Sequence, residues 1–278
     1  MDGLEAVLLL IVNEVNTVAT TRGPAASVAR LSVAPVKGLG LSHPDEVELG
    51  PHGVAEDRLF VFVDADGRRY GLIRDGRLAL IRAAYADGRL RLEFPDDTVV
   101  EDEVRIDGEL TTDLYNRDIA VDLVDGPWNE AVSRFVGRPL RLARARDERR
   151  AVDRANGPVS LVSQASLDEL ARHAGAASVD PRRFRMLVGI DGVGAHEEDG
   201  WLGREVRLGE ARVRFVAQVD RCAITTQNPD SGEPDLDTLR TIKEYRGLRD
   251  GKRLDFGIYG EVVRPGRVRV GDLVEPLA

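Results

Sequence analysis

The sequence predicts a mainly β chain with inserted helices. In its first half, Asp66-Gly67, Asp87-Gly88 and Asp107-Gly108 each lie next to short apolar runs. An Asp-Gly pair between two apolar runs is a strong hairpin signal, because glycine accepts a positive φ at little cost. An alternating segment at 28–35 leads into a proline, and an apolar run covers 59–63. We therefore expect an antiparallel sheet or a small barrel in this half.

The second half is predicted to be β-rich, with three helices that are each followed by a glycine. These helices cover 128–136, 166–174 and 237–246, and the first carries its apolar residues on one face. The second begins with the capping-box spacing of Ser166 and Glu169. Strands are expected at 159–162, 187–190, 206–208, 211–216, 256–263 and 268–270, with a hairpin turn at Gly209-Glu210.

The composition bounds the classes of function. The 278 residues carry a net charge of -9, which argues against general nucleic-acid binding, since neutralising phosphates needs a basic face. A local basic pocket can still bind a small anionic ligand. The single cysteine excludes an intrachain disulfide and an iron–sulfur cluster held by this chain alone. One free thiol fits a reducing compartment, so we expect a cytoplasmic location.

The first 27 residues are predicted to be a disordered extension. Their apolar run, residues 4–12, is too short to span a bilayer. Asp2 and Glu5 flank this run where a signal peptide would carry positive charge. We therefore expect neither a membrane span nor a secretory signal.

Cys222 is the strongest candidate for chemistry. It follows a strand-like approach at 213–219 and precedes a turn-rich loop at 228–232, with Arg221 beside it. A thiol at a strand end next to an arginine favours the thiolate. Thiolate is a soft ligand that suits molybdenum and copper, and it is also a nucleophile. A lone cysteine is alternatively a small buried apolar residue.

Three further cations are predicted at strand ends. Lys37 projects from the turn that ends the first strand, Arg58 precedes the apolar run 59–63, and Arg185 closes the segment Arg183-Phe184-Arg185. Arginine binds phosphate through two parallel N–H donors, and lysine binds it as a point charge. Cations at strand ends therefore suit a phosphorylated ligand. Surface charge is the alternative for each of them. The acidic run 196–199 suits a binding site for a hard cation, and an exposed loop without a ligand is the alternative.

Five segments, in the same order along the chain, resemble the MOSC family, whose domain forms the C-terminus of molybdenum-cofactor sulfurases. Within that family the likeness is to the mitochondrial amidoxime-reducing component and its bacterial relatives. Arg221-Cys222 and the loop as far as Gly232 are similar to the most specific family element, Arg-Cys-x-x-Thr-Thr-x-x-Pro-Asp-Thr-Gly. The other four are Ala34-Pro35-Val36-Lys37, Glu56-Asp57-Arg58-Leu59-Phe60, Ser163-Gln164-Ala165-Ser166-Leu167 and the closing strands from Phe256.

The resemblance implies a molybdenum cofactor, a pyranopterin dithiolene that holds the metal. Cys222 would be the protein thiolate on molybdenum and the catalytic residue. The cofactor's phosphate and pterin would contact Lys37, Arg58, Asn156, Arg185 and Arg221. It also implies a smaller β-barrel-like MOSC N-terminal domain, residues 28–125, packed on a β-barrel-like MOSC domain, residues 126–278, with the cofactor between them.

The sequence departs from the family pattern at three places. Gly38 stands where relatives have serine, Asn156-Gly157 where animal members have Thr-Ser, and Met186-Leu187 where many members have Pro-Asn. We expect the cofactor to lose polar contacts there, which would alter its affinity or the substrate pocket.

The function that the resemblance implies is reduction of N-oxygenated compounds: amidoximes, hydroxylamines or N-oxides. The electrons would come from a separate protein, either a flavoprotein, a cytochrome b5-like protein or a ferredoxin. One alternative is sulfur transfer through a persulfide on Cys222, and another is a non-enzymatic cofactor carrier. Pyridoxal phosphate is also associated with this family, but Lys37 is better explained as a phosphate contact, and no pyridinium partner is identifiable.

Overall fold

The computed structural model describes residues 25–113, 118–146 and 157–277. Most of the predicted N-terminal extension, residues 1–24, and the predicted cofactor contact Asn156 lie outside this part. The described chain is mainly β with a few helices, as predicted. No helix in these ranges is long and apolar enough to cross a membrane.

Eighteen strands form the framework of the described chain. In chain order they are β1 Ser27–Leu31, β2 Glu46–Gly50, β3 Gly53–Val54, β4 Phe60–Asp64, β5 Arg69–Tyr70, β6 Arg82–Ala86, β7 Arg89–Glu93, β8 Val99–Glu103, β9 Arg105–Asp113, β10 Asp118–Asp125, β11 Leu140–Ala145, β12 Val159–Ser163, β13 Val188–Asp191, β14 Glu205–Leu208, β15 Ala211–Asp220, β16 Asp255–Arg264, β17 Gly266–Arg269 and β18 Val274–Pro276.

Helices are short and lie between the strands. The three α-helices are α1 Pro127–Val136, α2 Gln164–Ala174 and α3 Thr238–Arg246, and the 3₁₀ helices are Gly76–Leu80, Pro181–Phe184, Glu197–Trp201 and Ala223–Thr226.

The strands form four sheets. A seven-stranded sheet has the order β1-β13-β12-β16-β15-β14-β18, and a five-stranded sheet has the order β5-β4-β11-β10-β9. Two three-stranded sheets have the orders β17-β2-β3 and β6-β7-β8. Strand β1 pairs antiparallel with β13, and β2 pairs antiparallel with β17. The first strands of the chain are thus hydrogen-bonded to its C-terminal half.

Two of the three predicted Asp-Gly hairpins in the first half are confirmed, and the third is wrong. Asp66-Gly67 connects the antiparallel strands β4 and β5, and Asp87-Gly88 connects β6 and β7. Asp107-Gly108 instead lies within β9, where the register with β10 shifts between Asp122 and Val124. Gly108 has a φ of +118°. The glycine therefore makes a β-bulge in a continuous strand, which calls for the same backbone freedom as a turn.

All three predicted helices are confirmed, with one corrected cap. Helix α2 begins after Ser163, whose side chain accepts a hydrogen bond from the backbone N–H of Ser166. Ser166 was predicted to cap the helix but lies inside it, with its side chain buried. The error arose because both serines precede an apolar stripe at helical spacing.

Buried apolar residues form separate clusters about the two larger sheets. One cluster is centred on Phe215, Ile258 and Trp201 of the seven-stranded sheet and its surroundings, and another on Phe60, Phe62 and Trp128 near the five-stranded sheet. A cleft in the described chain takes its lining residues from both halves of the sequence, between Lys37 and Tyr259.

Candidate functional site

Five of the predicted site residues line one cleft of about 420 Å³. They are Lys37, Arg58, Arg185, Arg221 and Cys222. These residues are separated by up to 185 positions in the sequence, between Lys37 and Cys222, so only the fold brings them together. Gly157 and Pro158, which follow Asn156 in the chain, line the same cleft.

Cys222 lies two residues after strand β15 and directly before the 3₁₀ helix Ala223–Thr226, with its side chain exposed, which rules out the alternative of a small buried apolar residue. Its carbonyl oxygen accepts hydrogen bonds from both the backbone N–H and the hydroxyl of Thr225, each at 3.1 Å. The Thr225 hydroxyl is in turn 2.7 Å from that of Thr238, a buried contact with the first residue of α3. The loop backbone is therefore anchored while the thiol faces the cleft.

Arg58 and Arg185 are held in an uncommon backbone conformation. Their φ angles are +53° and +52°, in the left-handed region that residues with a Cβ rarely adopt. The guanidinium of Arg58 donates to the Arg185 carbonyl oxygen at 2.9 Å and to the carboxylate of Asp57. Asp57 is buried and also accepts the Ala34 backbone N–H at 2.8 Å. This chain of contacts fixes both arginines at the cleft wall.

Arg221 is fixed by backbone carbonyls and by an aromatic ring. Its guanidinium donates to the Phe184 carbonyl oxygen at 3.0 Å and to that of Phe256, and it lies 5.0 Å from the centre of the Phe184 ring. A Cβ added to Gly257 would lie 2.8 Å from the Met186 Cε and 3.4 Å from the Arg221 guanidinium. The positive φ of Gly257, +74°, and this close approach both require glycine beside Arg221.

Lys37 occupies the turn after the first strand, as predicted, and is half-buried. Its backbone N–H donates to the Phe60 carbonyl oxygen at 2.8 Å. The next residue, Gly38, has a φ of +92°, and a Cβ there would lie 3.6 Å from the Gly71 Cα. Serine, which the family has at this position, would be strained in this conformation.

The cleft is strongly cationic although the whole chain is acidic. Six cationic side chains line it, against one acidic side chain, Asp220, among its described lining residues. The six are Lys37, Arg58, Arg69, Arg183, Arg185 and Arg221. Concave walls of one sign focus the electrostatic field and raise the local concentration of anions. The cleft is therefore suited to an anionic ligand.

Two of these cations were not among the predicted site residues. Arg183 is only 8% exposed, and it donates to the carbonyl oxygens of Thr226 and Gln227 at 3.1 and 2.8 Å. It also forms an ion pair with Asp235 at 2.7 Å, and these three contacts together hold the loop that follows Cys222 in place. The Arg183-Phe184-Arg185 triplet contained the signal, but only Arg185 was selected from it. Arg69 lies on the short strand β5, and no sequence signal separates it from an ordinary surface arginine.

All three departures from the family pattern reach the cleft. Gly38, Gly157 and Met186 are among its lining residues. The Met186 sulfur lies 2.9 Å from the Arg221 guanidinium. A weakly accepting thioether thus contacts the guanidinium from a position that in many family members holds proline.

The acidic run 196–199 neither forms a uniformly exposed loop nor presents a cation site. Glu198 is fully buried and accepts hydrogen bonds from Ser163 and Ser166, and burial raises its pKa. Asp199 pairs with Arg246 of α3 at 2.5 Å. No group of three or more His, Cys, Asp or Glu within the ranges 25–113, 118–146 and 157–277 is arranged to hold a metal ion.

These groups belong to a partly buried network that we call the α2–α3 polar cluster: Ser163, Ser166, His196, Glu198, Asp199, Tyr245 and Arg246. The His196 imidazole lies 3.1 Å from the Tyr245 hydroxyl, and its backbone N–H donates to Ser166 at 2.8 Å. Burial, reinforced by the charge of Arg246, lowers the pKa of His196 to about 4. Burial also raises the pKa of Tyr245. The cluster ties the 3₁₀ helix Glu197–Trp201 to α2 and α3.

Comparison with known proteins gives relatives over most of the chain. Mitochondrial amidoxime-reducing component 1 of Mus musculus is 28% identical over 285 residues, covering 89% of this chain and 81% of the mouse protein. Mitochondrial amidoxime-reducing component 1 of Homo sapiens is 28% identical over 283 residues, covering 89% of this chain and 82% of the human protein. Among solved structures, the YuaD protein from Bacillus subtilis superposes with a TM-score of 0.45 at 15% identity, covering 91% of this chain and 96% of that chain.

Two family models divide most of the chain between them. The model of the MOSC N-terminal beta barrel domain matches residues 25–140, and that of the MOSC domain matches residues 148–275. The chain therefore belongs to the MOSC family, with the MOSC N-terminal beta barrel domain preceding the MOSC domain.

Proposed function

We propose that this protein is a molybdenum-cofactor-dependent oxidoreductase that reduces N-oxygenated compounds such as amidoximes, hydroxylamines and N-oxides. The relatives named amidoxime-reducing components support this reaction class. A separate flavoprotein, cytochrome b5-like protein or ferredoxin supplies the electrons. We further propose a cytoplasmic location for this chain, although the relatives are named mitochondrial proteins.

The observation that carries the proposal is one exposed thiol at the edge of a cationic cleft. Cys222 offers the soft sulfur donor that suits molybdenum, and six cations line the same space. The Nε of Arg183, on the wall of this cleft, is buried and makes no hydrogen bond within the described residues. A cleft of about 420 Å³ lies in the usual size range for cofactor sites. These residues fit a phosphorylated, metal-bearing cofactor.

Each predicted site residue would bind the part of the cofactor that suits its side-chain chemistry. Cys222 would bind the metal, and Lys37, Arg58, Arg185 and Arg221 would bind the cofactor's phosphate and pterin. When bound, the cofactor supplies the two-electron redox chemistry. In the reaction, the N–O bond of an amidoxime breaks, the donor protein supplies two electrons, and two protons from solvent complete the amidine and a water molecule.

Charge and rigidity of the cleft would position the cofactor. Arg58, Arg185 and Arg221 are each hydrogen-bonded to a backbone carbonyl, which orients the guanidinium before a ligand arrives. Orientation in advance lowers the entropy cost of binding. Asp220 lies beside Arg221 at the same wall, but no described contact assigns it a proton-transfer role.

The test is elemental analysis of the purified protein from a host that makes the cofactor. We expect roughly one molybdenum per wild-type chain by mass spectrometry. Cys222→Ala should lose the metal or change its absorption spectrum. Its cofactor-free form should unfold at the same temperature as the cofactor-free wild type, because the thiol is exposed. Ser178→Ala, another small exposed side chain, serves as the control and should retain the metal.

Other outcomes discriminate the alternatives. Repeated wild-type preparations without molybdenum would sink the reductase proposal. A thiol-labile sulfur that appears on Cys222 when a cysteine desulfurase is added would then indicate a persulfide carrier. A wild-type protein that holds molybdenum but reduces no N-oxygenated compound with any donor would be a cofactor carrier.

A further inference from the structure

A second cavity of about 300 Å³ adjoins the cleft. The two share the wall residues Leu72, Arg183, Arg185 and Ile224. Ile224 lies on the 3₁₀ helix Ala223–Thr226, two residues after Cys222. A molecule in the second cavity therefore lies against the same wall as a ligand bound beside the thiol.

The walls of this second cavity combine apolar side chains with arginines and amides. Apolar side chains contribute much of its lining: Leu41, Leu72, Ala79, Leu80, Pro95 and Ile224. Leu41 and Leu80 are only half-buried, so an apolar ligand would cover surface that now faces water. The chain's only cysteine is not among the lining residues. Apolar surface in a concave site, with polar groups beside it, is typical of a small-molecule site.

Charge narrows the class of ligand further. Four arginines line this cavity, and three of them pair with carboxylates: Arg82 with Glu93 at 3.2 Å, Arg182 with Asp230 at 2.8 Å and Arg183 with Asp235 at 2.7 Å. The fourth is Arg185, and Asp230 is the one acidic lining residue among those described. A cationic ligand would thus meet arginine without an available carboxylate at this wall. An uncharged aryl or alkyl group would not meet this electrostatic repulsion.

We propose that the second cavity binds the carbon skeleton of the substrate, an uncharged aryl or alkyl group, while the N–O group reaches past Ile224 toward Cys222. This inference rests on the proposed reductase function, and it names the part of the substrate that sets specificity. Leu41 and Leu80 are then specificity-determining residues that touch the substrate body and not the cofactor.

The experiment fills the cavity and compares a substrate that has a carbon skeleton with one that has none. Leu80→Trp and, as a second variant, Leu41→Trp are assayed as molybdenum-loaded proteins with benzamidoxime and with hydroxylamine. We expect the ratio of the two kcat/KM values to shift about tenfold toward hydroxylamine, chiefly through KM for benzamidoxime. Leu273→Trp, at a leucine that is 56% exposed and outside both cavities, is the matched control and should leave the ratio unchanged.

A binding measurement separates this inference from the proposed reaction. Fluorine NMR of fluorobenzamidoxime mixed with the Cys222→Ala protein reports binding without turnover. We expect line broadening that Leu80→Trp, introduced into the same background, abolishes and Leu273→Trp retains. Broadening that survives both Leu80→Trp and Leu41→Trp, or an unchanged substrate ratio, overturns the inference. A loaded wild type that reduces neither substrate overturns the proposed function instead, and the NMR result still decides the cavity.

Discussion

The cleft and the α2–α3 polar cluster both gather ionisable side chains, but they treat charge in different ways. In the cleft, Arg185 and Arg221 donate to backbone carbonyls, which carry no formal charge, and Arg58 donates to a carbonyl and also pairs with Asp57. In the cluster, Asp199 pairs with Arg246, and serine hydroxyls surround the carboxyl group of Glu198. A carbonyl acceptor orients a guanidinium through a hydrogen bond, and an ion pair adds charge compensation to that orientation.

Exposure follows the same division. Cys222 is exposed at the cleft, while Glu198 in the cluster is fully buried. Glu198 finds its hydrogen-bond partners within the fold, whereas the His196 Nδ1, the Asp199 Oδ1 and the Arg246 Nε of the same cluster make no hydrogen bond within the described residues. Each such unmatched buried atom costs free energy. The comparison thus indicates a ligand-binding role for the first region and a structural role for the second.

The largest effect is expected at Arg221, which lines the ligand cleft and also holds two buried backbone carbonyls in place. Arg221→Ala should lower the free energy of unfolding by about 4 kcal/mol, because the carbonyls of the buried Phe184 and Phe256 would lose a charged donor. Molybdenum content should fall as well. Denaturant titration and metal analysis measure the two losses.

Arg240→Ala is the control for this change. Arg240 lies on α3 and is 69% exposed, so its loss should alter stability by less than about 0.5 kcal/mol and leave the metal content alone. If Arg221→Ala keeps the wild-type molybdenum content, Arg221 is a structural brace and not part of the cofactor site.

Glu198 should affect stability without affecting the metal. Glu198→Ala removes an acceptor for Ser163 and Ser166 and leaves a cavity, which should cost about 3 kcal/mol in chemical denaturation. Glu198→Gln should cost less than about 1 kcal/mol, because serine hydroxyls can reverse their hydrogen bonds to suit an amide. Molybdenum per folded chain should equal that of the wild type in both. A fall in metal content in Glu198→Gln would contradict the proposed division.

The next largest effect on stability is expected at a close contact between two loops. A Cβ on Gly76 would lie 2.0 Å from the carbonyl oxygen of Gly232, in the loop that follows Cys222. Gln227 of that loop also donates to the Leu72 carbonyl oxygen at 2.9 Å. Gly76→Ala should therefore push the two loops apart at a cost of about 2 kcal/mol in thermal unfolding, and should lower molybdenum content.

Gly200→Ala is matched to this variant. Like Gly76, Gly200 has no positive φ, and nothing lies within 4 Å of the Cβ that alanine would add. The melting temperature and the metal content of Gly200→Ala should equal those of the wild type. Equal metal content in Gly76→Ala and Gly200→Ala would show that this contact does not position the cleft.

Local signals predicted much of the fold, and long-range packing accounts for most of the errors. Asp87-Gly88 is a hairpin turn because both residues have a positive φ, of +51° and +77°. Asp107-Gly108 carries the same dipeptide but becomes a bulge, because β9 continues along β10 on both sides of it. A dipeptide reports the conformation that its residues allow, whereas the partner strand decides whether the chain reverses.

The site followed the same rule. Cys222 and the four predicted cations were recognisable because they lie in motifs of specific sequence. Arg69 was missed because its position in the cleft depends on the pairing of β5 with β4, which leaves no mark on the sequence around it. Glu198 was misread for a related reason, since its burial is set by Ser163 and Ser166 more than thirty positions earlier.

The smallest expected effect is the pH dependence of the α2–α3 polar cluster. Burial lowers the pKa of His196 to about 4, below its ordinary value of 6.5. Between these two values the unfolded chain binds a proton that the folded chain does not. Stability from this group is therefore fully present above pH 6.5 and is lost as the pH falls toward 4.

His196→Gln should remove this part of the profile. Because the imidazole is only partly buried, we expect its contribution over this range to be about 1 kcal/mol. Glu198 acts in the opposite sense, since its raised pKa costs stability as the pH rises through that pKa, and this slope should persist in the variant. Melting temperatures from pH 4 to pH 7 measure both, with His52→Gln, at an exposed histidine, as the control. A wild-type slope retained in His196→Gln would assign the acid sensitivity to another group and leave the cluster without its titrating histidine.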